Sequence, residues 1–428
     1  VGRFVTIRWA PDPNAYGPRR ARVGGTIRAF VPHPLVGTPL TIDARVAADI
    51  ADAEREVAAL DSAVRADRGP HRLEVLSRLL LRAEAVGSSR VEGLVVSPRR
   101  LALADLDPEL DPSGRALEVV ANIRALTDAL AAADRPGPFT VDDLRTLHMR
   151  LLDGTRDASL GGVVRVEQNW VGGTTPLDAE YVPPPPETVL PLLHDLCAYV
   201  SGDDHSPLVQ AAIAHAQFET IHPFADGNGR TGRALLQWVL RRRGLCRRVV
   251  PPISLVLATE PGRYVAGLTA TRREGAPGGP ELLEGWAVWL ELVARVTRRA
   301  CAEADRYEQH TAALVERWRG DVRSNVGALR SDAAAWAVLE RLPSAPLVTA
   351  STAAALTGRS PRAIDAALAQ LVNAGVLRQV GGRVRYRLYE AVGVFDLVTD
   401  AERALASPAG DTRVEAPARP VPAPSRRR

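Results

Sequence analysis

Residues 222–233 read HPFADGNGRTGR, and no other stretch of the chain limits its fold so closely. A histidine that precedes proline is pushed out of the α region. Upstream, the run holding Leu208, Ala212, Ala216, Phe218, Glu219 and Ile221 is rich in apolar residues and free of glycine, the pattern of a buried helix that ends near His222. Pro223 therefore opens a loop. A second helix is expected from Arg230 to about Arg243, stopped by Gly244. Between the two, Gly227 and Gly229 are expected to adopt φ > 0 and bring bare backbone close to a ligand, with successive N–H groups lining one concavity.

That concavity suits an anion. Cations in the first turn of an exposed helix oppose its dipole by roughly 0.3–1 kcal/mol each, and a bound anion reverses the sign. Arg230 and Arg233 lie at i, i+3 spacing on one face, where bidentate pairing with two or more phosphates is natural. Asp226 is the one carboxylate of the loop, and Mg²⁺ commonly takes one or two carboxylates while waters and substrate phosphates supply its other ligands. His222 is left as the proton acceptor for an attacking hydroxyl. An ordinary interhelical turn with solvated arginines accounts for each residue singly, but poorly for all of them at this spacing.

The order HPF-x-[D/E]-GNGR-x-x-R resembles the Fic family, whose members mostly transfer AMP from ATP to protein hydroxyls. The resemblance implies that His222 is the catalytic base and Asp226 the metal ligand. It also implies that Gly227, Asn228 and Gly229 cradle the phosphates and that Arg230 and Arg233 hold the outer ones, with ATP as co-substrate and Mg²⁺ as cofactor. Phe224 is expected to be a core anchor. SSRVEG, residues 88–93, is similar to the family's inhibitory motif, in which Ser88 and Glu92 would be delivered on a helix so that Glu92 pairs bidentately with Arg233. A solvated helix end stopped by Gly93 is the plainer alternative. GGVVRVEQNWVGG reads as a hairpin or extended flap, followed by a rigid VPPPPE turn. By its position the resemblance makes Asn169, Trp170, Val171, Gly172 and Gly173 a target-docking flap. EVVANIRAL at 118–126 and RVEQNWVGG at 165–173 also look like family segments, so the resemblance covers roughly residues 35–295.

At 428 residues, 46% hydrophobic and 24% charged, the chain should form two or three globular domains. No apolar run approaches the ~18 residues of a bilayer span, and no signal pattern opens the chain, so a cytoplasmic protein without membrane contact is expected. Val1 leaves a non-standard start and a trimmed end equally open. Cys197, Cys246 and Cys301 are odd in number and far apart, which argues against a disulfide framework or a thiolate zinc site. All 54 basic residues are arginine, so a lysine-bearing P-loop and Schiff-base chemistry are excluded. The net charge of +4 permits nucleic-acid binding without demanding it.

The expected fold is mainly α: a Fic-type helical core with a short β-hairpin flap, an N-terminal helical segment and a C-terminal winged helix-turn-helix. The expected divisions are an extended segment (1–34), a helical domain with the inhibitory helix (35–111), the catalytic domain (112–295), a linker helix and winged-helix domain (296–400), and a disordered tail (401–428). Gly69 and Pro70 should break a helical hairpin, and Thr140 should cap VDDLRTLHMRLL. Tyr264 is expected either to wall an adenine pocket or to pack in the core. In the last domain Pro361 would begin a recognition helix flanked by Arg359 and Arg362, with Arg378, Arg383, Arg385 and Arg387 on the wing. DNA contact, peptide docking and homodimerisation all remain open for it.

Two functions therefore compete: a Mg²⁺-dependent, autoinhibited protein adenylyltransferase acting on a Ser, Thr or Tyr hydroxyl, and a DNA-binding transcriptional regulator whose Fic fold senses a nucleotide. A metalloprotease is a third. His215, Glu219 and His222 are helix-spaced, but HExxH is absent and His215 is better read as a packed histidine.

Overall fold

The computed structural model describes residues 2–10, 22–66, 70–111, 113–381 and 387–406. Two compact units are present: one of Val1–Arg68, Leu80–Val96 and Asp107–Cys301, the other of Gly69–Leu79, Ser97–Leu106 and Ala302–Arg428. In chain order the principal elements begin with strands β1 (Arg3–Trp9) and β2 (Gly25–Val31) and helices α1 (Ala44–Ala66), α2 (Pro70–Val91) and α3 (Pro98–Leu106). Helices α4 (Arg115–Ala133), α5 (Val141–Leu152), α6 (Pro186–Ser201), α7 (Pro207–Ile221) and α8 (Asn228–Arg242) follow. Next come α9 (Ile253–Leu257), α10 (Pro261–Ala270) and α11 (Pro280–Asn325).

The first unit is organised around α7, every residue of which from Leu208 to Ile221 is buried. A helix that is apolar all round belongs in a core, and both glutamines of α7 are bonded in ways that permit their burial. Gln210 donates to the carbonyls of Tyr199 (2.8 Å) and Gly202 (2.9 Å), and Gln217 donates to that of His33 (2.7 Å). Trp289 of α11 donates its indole N–H to the Ala212 carbonyl at 2.8 Å. Thr140 caps α5 through a reciprocal capping box with Asp143, as the sequence implies, and Cys197, Cys246 and Cys301 are all buried free thiols.

Three expectations gain detail. Within residues 1–34, β1 and β2 pair antiparallel from Arg3↔Val31 to Trp9↔Gly25. Val5, Ile7 and Trp9 alternate with exposed Phe4, Thr6 and Arg8, a period of two that the neighbouring Gly, Pro and Arg obscure. The 163–185 segment, read as a hairpin or extended flap, carries one isolated antiparallel bridge, Val171↔Tyr181, beside which Gly172 and Gly173 both take φ near 70° and turn the chain. The linker helix, expected within 296–400, begins at Pro280.

In the second unit, α12 (Ala334–Leu339), β3 (Leu347–Val348), α13 (Ala350–Thr357), α14 (Pro361–Asn373), β4 (Leu377–Val380), β5 (Leu388–Ala391) and α15 (Val394–Ala406) follow one another. The strands form a sheet in the order β3-β5-β4, over a core that includes Trp318, Val338, Ile364 and Leu371. Ser360 caps α14 through the Ala363 N–H, and Arg359 and Arg362 are exposed beside it. Arg378 is drawn onto the buried Glu390, which Arg99 also contacts at 3.0 Å. Arg383 and Arg385 lie outside the described residues. The helix α15 reaches Ala406, past the point where a tail was expected, and residues 407–428 also lie outside the described residues. Among the described residues no helix is long and apolar enough to cross a membrane.

One close approach fixes where α2 ends. A Cβ on Gly87 would lie 2.3 Å from the Leu255 backbone nitrogen, and beside it Glu84 accepts from the Ser254 N–H (2.7 Å) and hydroxyl (2.5 Å). Gly87→Ala should destabilise the first unit by about 1–3 kcal/mol through overpacking. A lower denaturant midpoint at unchanged slope is the expected measurement.

Candidate active site

The turn between α7 and α8 is held in an uncommon conformation. His222 closes α7 with φ 49° and ψ 61°, and among the described residues it is the one non-glycine at positive φ. Left-handed backbone costs an L-residue roughly 1–2 kcal/mol, so surrounding contacts must hold it there. Arg165 supplies most of them. Its Nε donates to the His222 carbonyl (2.9 Å), its Nη2 to those of Pro184 (2.7 Å) and Ile221 (3.3 Å), and its backbone N–H to that of Pro223 (2.9 Å). Burial pulls this guanidinium down to about 10, still cationic at neutral pH.

Asn169 adds its amide, which donates to the carbonyls of His222 (3.2 Å) and Phe224 (3.1 Å). Its side chain thus faces the His222–Phe224 turn. Trp170 likewise packs inward, edge to face against Trp9 at 6.0 Å, whereas Val171 is exposed. Asn228 and Phe224 close the loop reciprocally: the Phe224 N–H donates to Asn228 Oδ1 (2.9 Å) and Asn228 Nδ2 to the Phe224 carbonyl (2.8 Å). The Asn228 side chain is therefore committed to loop geometry. Phe224 is fully buried, as an anchor should be, and stacks on His148 at 3.8 Å.

Gly227 takes φ 73°, but Gly229 is helical and needs no left-handed freedom. What keeps Gly229 a glycine is Glu92, since a Cβ there would lie 1.9 Å from Glu92 Oε1. The carboxylate therefore lies against the first turn of α8, and Arg233 Nη2 donates to the same oxygen at 2.7 Å. The pair is not the bidentate fork the sequence suggests. The remaining guanidinium edge is taken by Ser88, whose hydroxyl accepts from Nε (3.0 Å) and whose carbonyl accepts from Nη2 (2.8 Å), and Nη1 lies 3.4 Å from the Tyr264 hydroxyl. Burial opposes ionisation of Glu92, yet the charge and hydrogen bond of Arg233 hold its carboxyl below the usual range. Asn122 of α4 positions this end of α2 by donating to the Ala85 carbonyl (2.8 Å) and the Ser89 hydroxyl (3.0 Å).

Arg230 differs from Arg233. It is equally buried, but its Nη2 reaches Asp226 Oδ2 only at 3.5 Å and its Nη1 lies 4.0 Å from Glu118, leaving Nε and Nη1 with no hydrogen-bond partner. A buried guanidinium with two orphaned donors at a helix N-terminus fits a phosphate. Asp226 beside it is exposed and can supply one ligand to Mg²⁺. Among the described residues no three or more His, Cys, Asp or Glu side chains converge as a metal site, so a metal here would depend on ligands from the nucleotide and water.

Burial, followed by the nearby Arg272, pushes His222 down to about 4, so its ring is neutral at physiological pH. Its Nδ1 lies 4.0 Å from Glu219 Oε2, and burial raises Glu219 to about 7. His215 is fully buried, and its Nε2 lies 2.9 Å from the Tyr264 hydroxyl. Tyr264 thus packs in the core as a partner of both His215 and Arg233, not as an open pocket wall. Arg165 and Asn122 are the positioning residues that motif reading misses. Both lie in segments singled out by resemblance, but a backbone-clamping role leaves no spacing signature.

Residues 138–240 match the Fic/DOC family and residues 47–131 match the Fic/DOC family N-terminal segment. The chain is 35% identical over 131 residues to the protein adenylyltransferase fic-1 of Caenorhabditis briggsae, covering 30% of this chain and 23% of that protein. With the protein adenylyltransferase Fic of Drosophila melanogaster it shares 36% identity over 116 residues, 26% of this chain and 22% of the relative. The match thus spans less than a quarter of each curated relative. A Fic family protein from Desulfovibrio desulfuricans G20 shares the fold at TM-score 0.50 and 20% identity, with 83% of this chain and 98% of that one aligned. The chain thus carries a Fic/DOC family domain at residues 138–240, preceded by a Fic/DOC family N-terminal segment at residues 47–131.

Proposed function

We propose that the protein is an adenylyltransferase that moves AMP from ATP to a Ser, Thr or Tyr hydroxyl of a protein and is held silent by its own Glu92. In this reading the hydroxyl oxygen attacks the α-phosphorus, a phosphodiester bond forms, the α–β anhydride breaks, and pyrophosphate leaves. The proton passes to His222, whose neutral ring is ready to accept it. The observation that carries the reading is Arg230: a buried cation with two unpartnered donors at the start of α8, one turn from Arg233. When bound, Mg²⁺ would neutralise phosphate charge, with Asp226 as its protein ligand. The names of the curated relatives support AMP transfer as the chemistry.

Autoinhibition rests on a second observation. Glu92 Oε1 occupies the place against Gly229 and Arg233 where an outer phosphate would be bound. While that carboxylate stays, the triphosphate cannot use Arg233, and its α-phosphate is not brought in line with the acceptor. The exposed Arg359 and Arg362 at the start of α14 leave the regulator reading to a separate test, binding of duplex DNA at low salt.

On a verified acceptor, Glu92→Gly should raise AMP transfer well above wild type, and adding Arg233→Ala should abolish the gain. Equal activity of wild type and Glu92→Gly would refute the clamp. In the Glu92→Gly background, His222→Ala should leave ATP binding largely intact while cutting transfer by about 10²- to 10⁴-fold, the usual contribution of a general base. Unchanged transfer would remove His222 from that role.

A further inference from the structure

His148 lies outside the signature motif, on α5, and is fully buried. Its two ring nitrogens make bonds of opposite sense. Nδ1 accepts the Gly162 backbone N–H at 3.0 Å, and an accepting Nδ1 in a neutral ring leaves the proton on Nε2, which lies 2.9 Å from the Asp226 carbonyl. The tautomer is thus set by the backbone. Gly162 is itself immobilised, because Arg145, one turn before His148 on α5, donates its Nε to the Gly162 carbonyl at 2.9 Å. The ring is also stacked within 4° of parallel on Phe224, the anchor of the same loop. A Cβ on Gly227 would approach Nε2 to 3.2 Å, so the loop backbone passes directly over the imidazole.

Because a trans peptide is planar, its carbonyl and N–H point in opposite directions. A bond that draws the Asp226 carbonyl toward His148 therefore turns the Gly227 N–H away from the imidazole. The same bond fixes the backbone from which the Asp226 carboxylate projects. From this we infer that His148 is the positioning residue of the phosphate loop: a strut of fixed tautomer between Gly162 and Asp226 that sets the direction of the Gly227 N–H and the place of the Asp226 side chain, and so tunes affinity for the Mg²⁺-bound triphosphate. The inference rests on the transferase reading above but concerns a residue outside its motif. An ordinary core histidine would contribute to stability alone.

Full-length wild type, His148→Phe, His148→Gln and His148→Asn are compared by calorimetric titration with Mg²⁺-ATP, alongside thermal melts. Phenylalanine keeps the stacking and loses both bonds. Glutamine can reach the Asp226 carbonyl with its amide N–H, whereas asparagine reaches only the Gly162 side. The expected result is a loss of affinity of about tenfold or more in the Phe and Asn variants, most of it recovered in the Gln variant. In the Glu92→Gly background the loss should appear chiefly in KM for ATP, with a smaller change in kcat. A folded Phe variant that binds within twofold of wild type overturns the inference. If the Phe variant does not fold, Asn binding as tightly as Gln overturns it. An imidazole ¹⁵N spectrum of wild type should show His148 protonated at Nε2, and a proton at Nδ1 would likewise overturn it. Wild type that binds no nucleotide overturns the transferase reading itself, an outcome distinct from unchanged affinity among the variants.

Discussion

A guanidinium that is only 1% exposed must be compensated where it lies, and the site is assembled around that demand of Arg233. Desolvating a cation costs several kcal/mol unless partners replace its water. Here they come from two elements: Ser88 and Glu92 from the end of α2, and Tyr264 from α10. Each partner is itself fixed by something buried. Asn122 bonds the Ser89 turn, Glu84 bonds Ser254, Gly87 lets α2 meet the Leu255 backbone, and His215 pairs with Tyr264. Removing Arg233 would leave several of these groups without the charge they are arranged around.

A second constraint acts a turn away. The positive φ of His222 is maintained by donors that converge on four successive carbonyls, from Ile221 to Phe224. Asn228 also donates to the Phe224 carbonyl, and His148 bonds the Asp226 carbonyl beyond it. Side chains thus do the structural work on the loop, which is how a short turn carries a strained residue.

Much of this was legible in the sequence where a residue's chemistry and its spacing coincide. The termination of α7 at His-Pro, the Thr140 cap, the burial of Phe224 and the approach of Glu92 to Arg233 all follow from local rules or from the motif. What escaped has a common physical cause: long-range pairing leaves no periodic trace. The β1–β2 ladder joins residues across a glycine- and proline-rich interval, and Arg165 reads as a surface arginine until the carbonyls of the next loop are placed beside it. Gly229 is helical, so its lack of a Cβ serves space and not a positive φ. It makes room for a carboxylate contributed from well over a hundred residues earlier in the chain, where the sequence suggested backbone freedom.

The contrast between the two members of the Glu92–Arg233 pair bears on how the switch would operate. The carboxylate side chain is 39% exposed and sits just past the last helical residue of α2, while the guanidinium is enclosed. In the proposed switch, departure of Glu92 would rehydrate the partner already near water, and an incoming phosphate would bring equivalent negative charge to the cation that stays behind. The site would behave as an ion exchanger with a tethered counterion: Arg233 is neutralised before and after, and only the identity of its anion changes. On that account the threshold for activation is set by how firmly residues just after Gly93 hold the tether, a property of the chain leaving α2 and not of the catalytic loop.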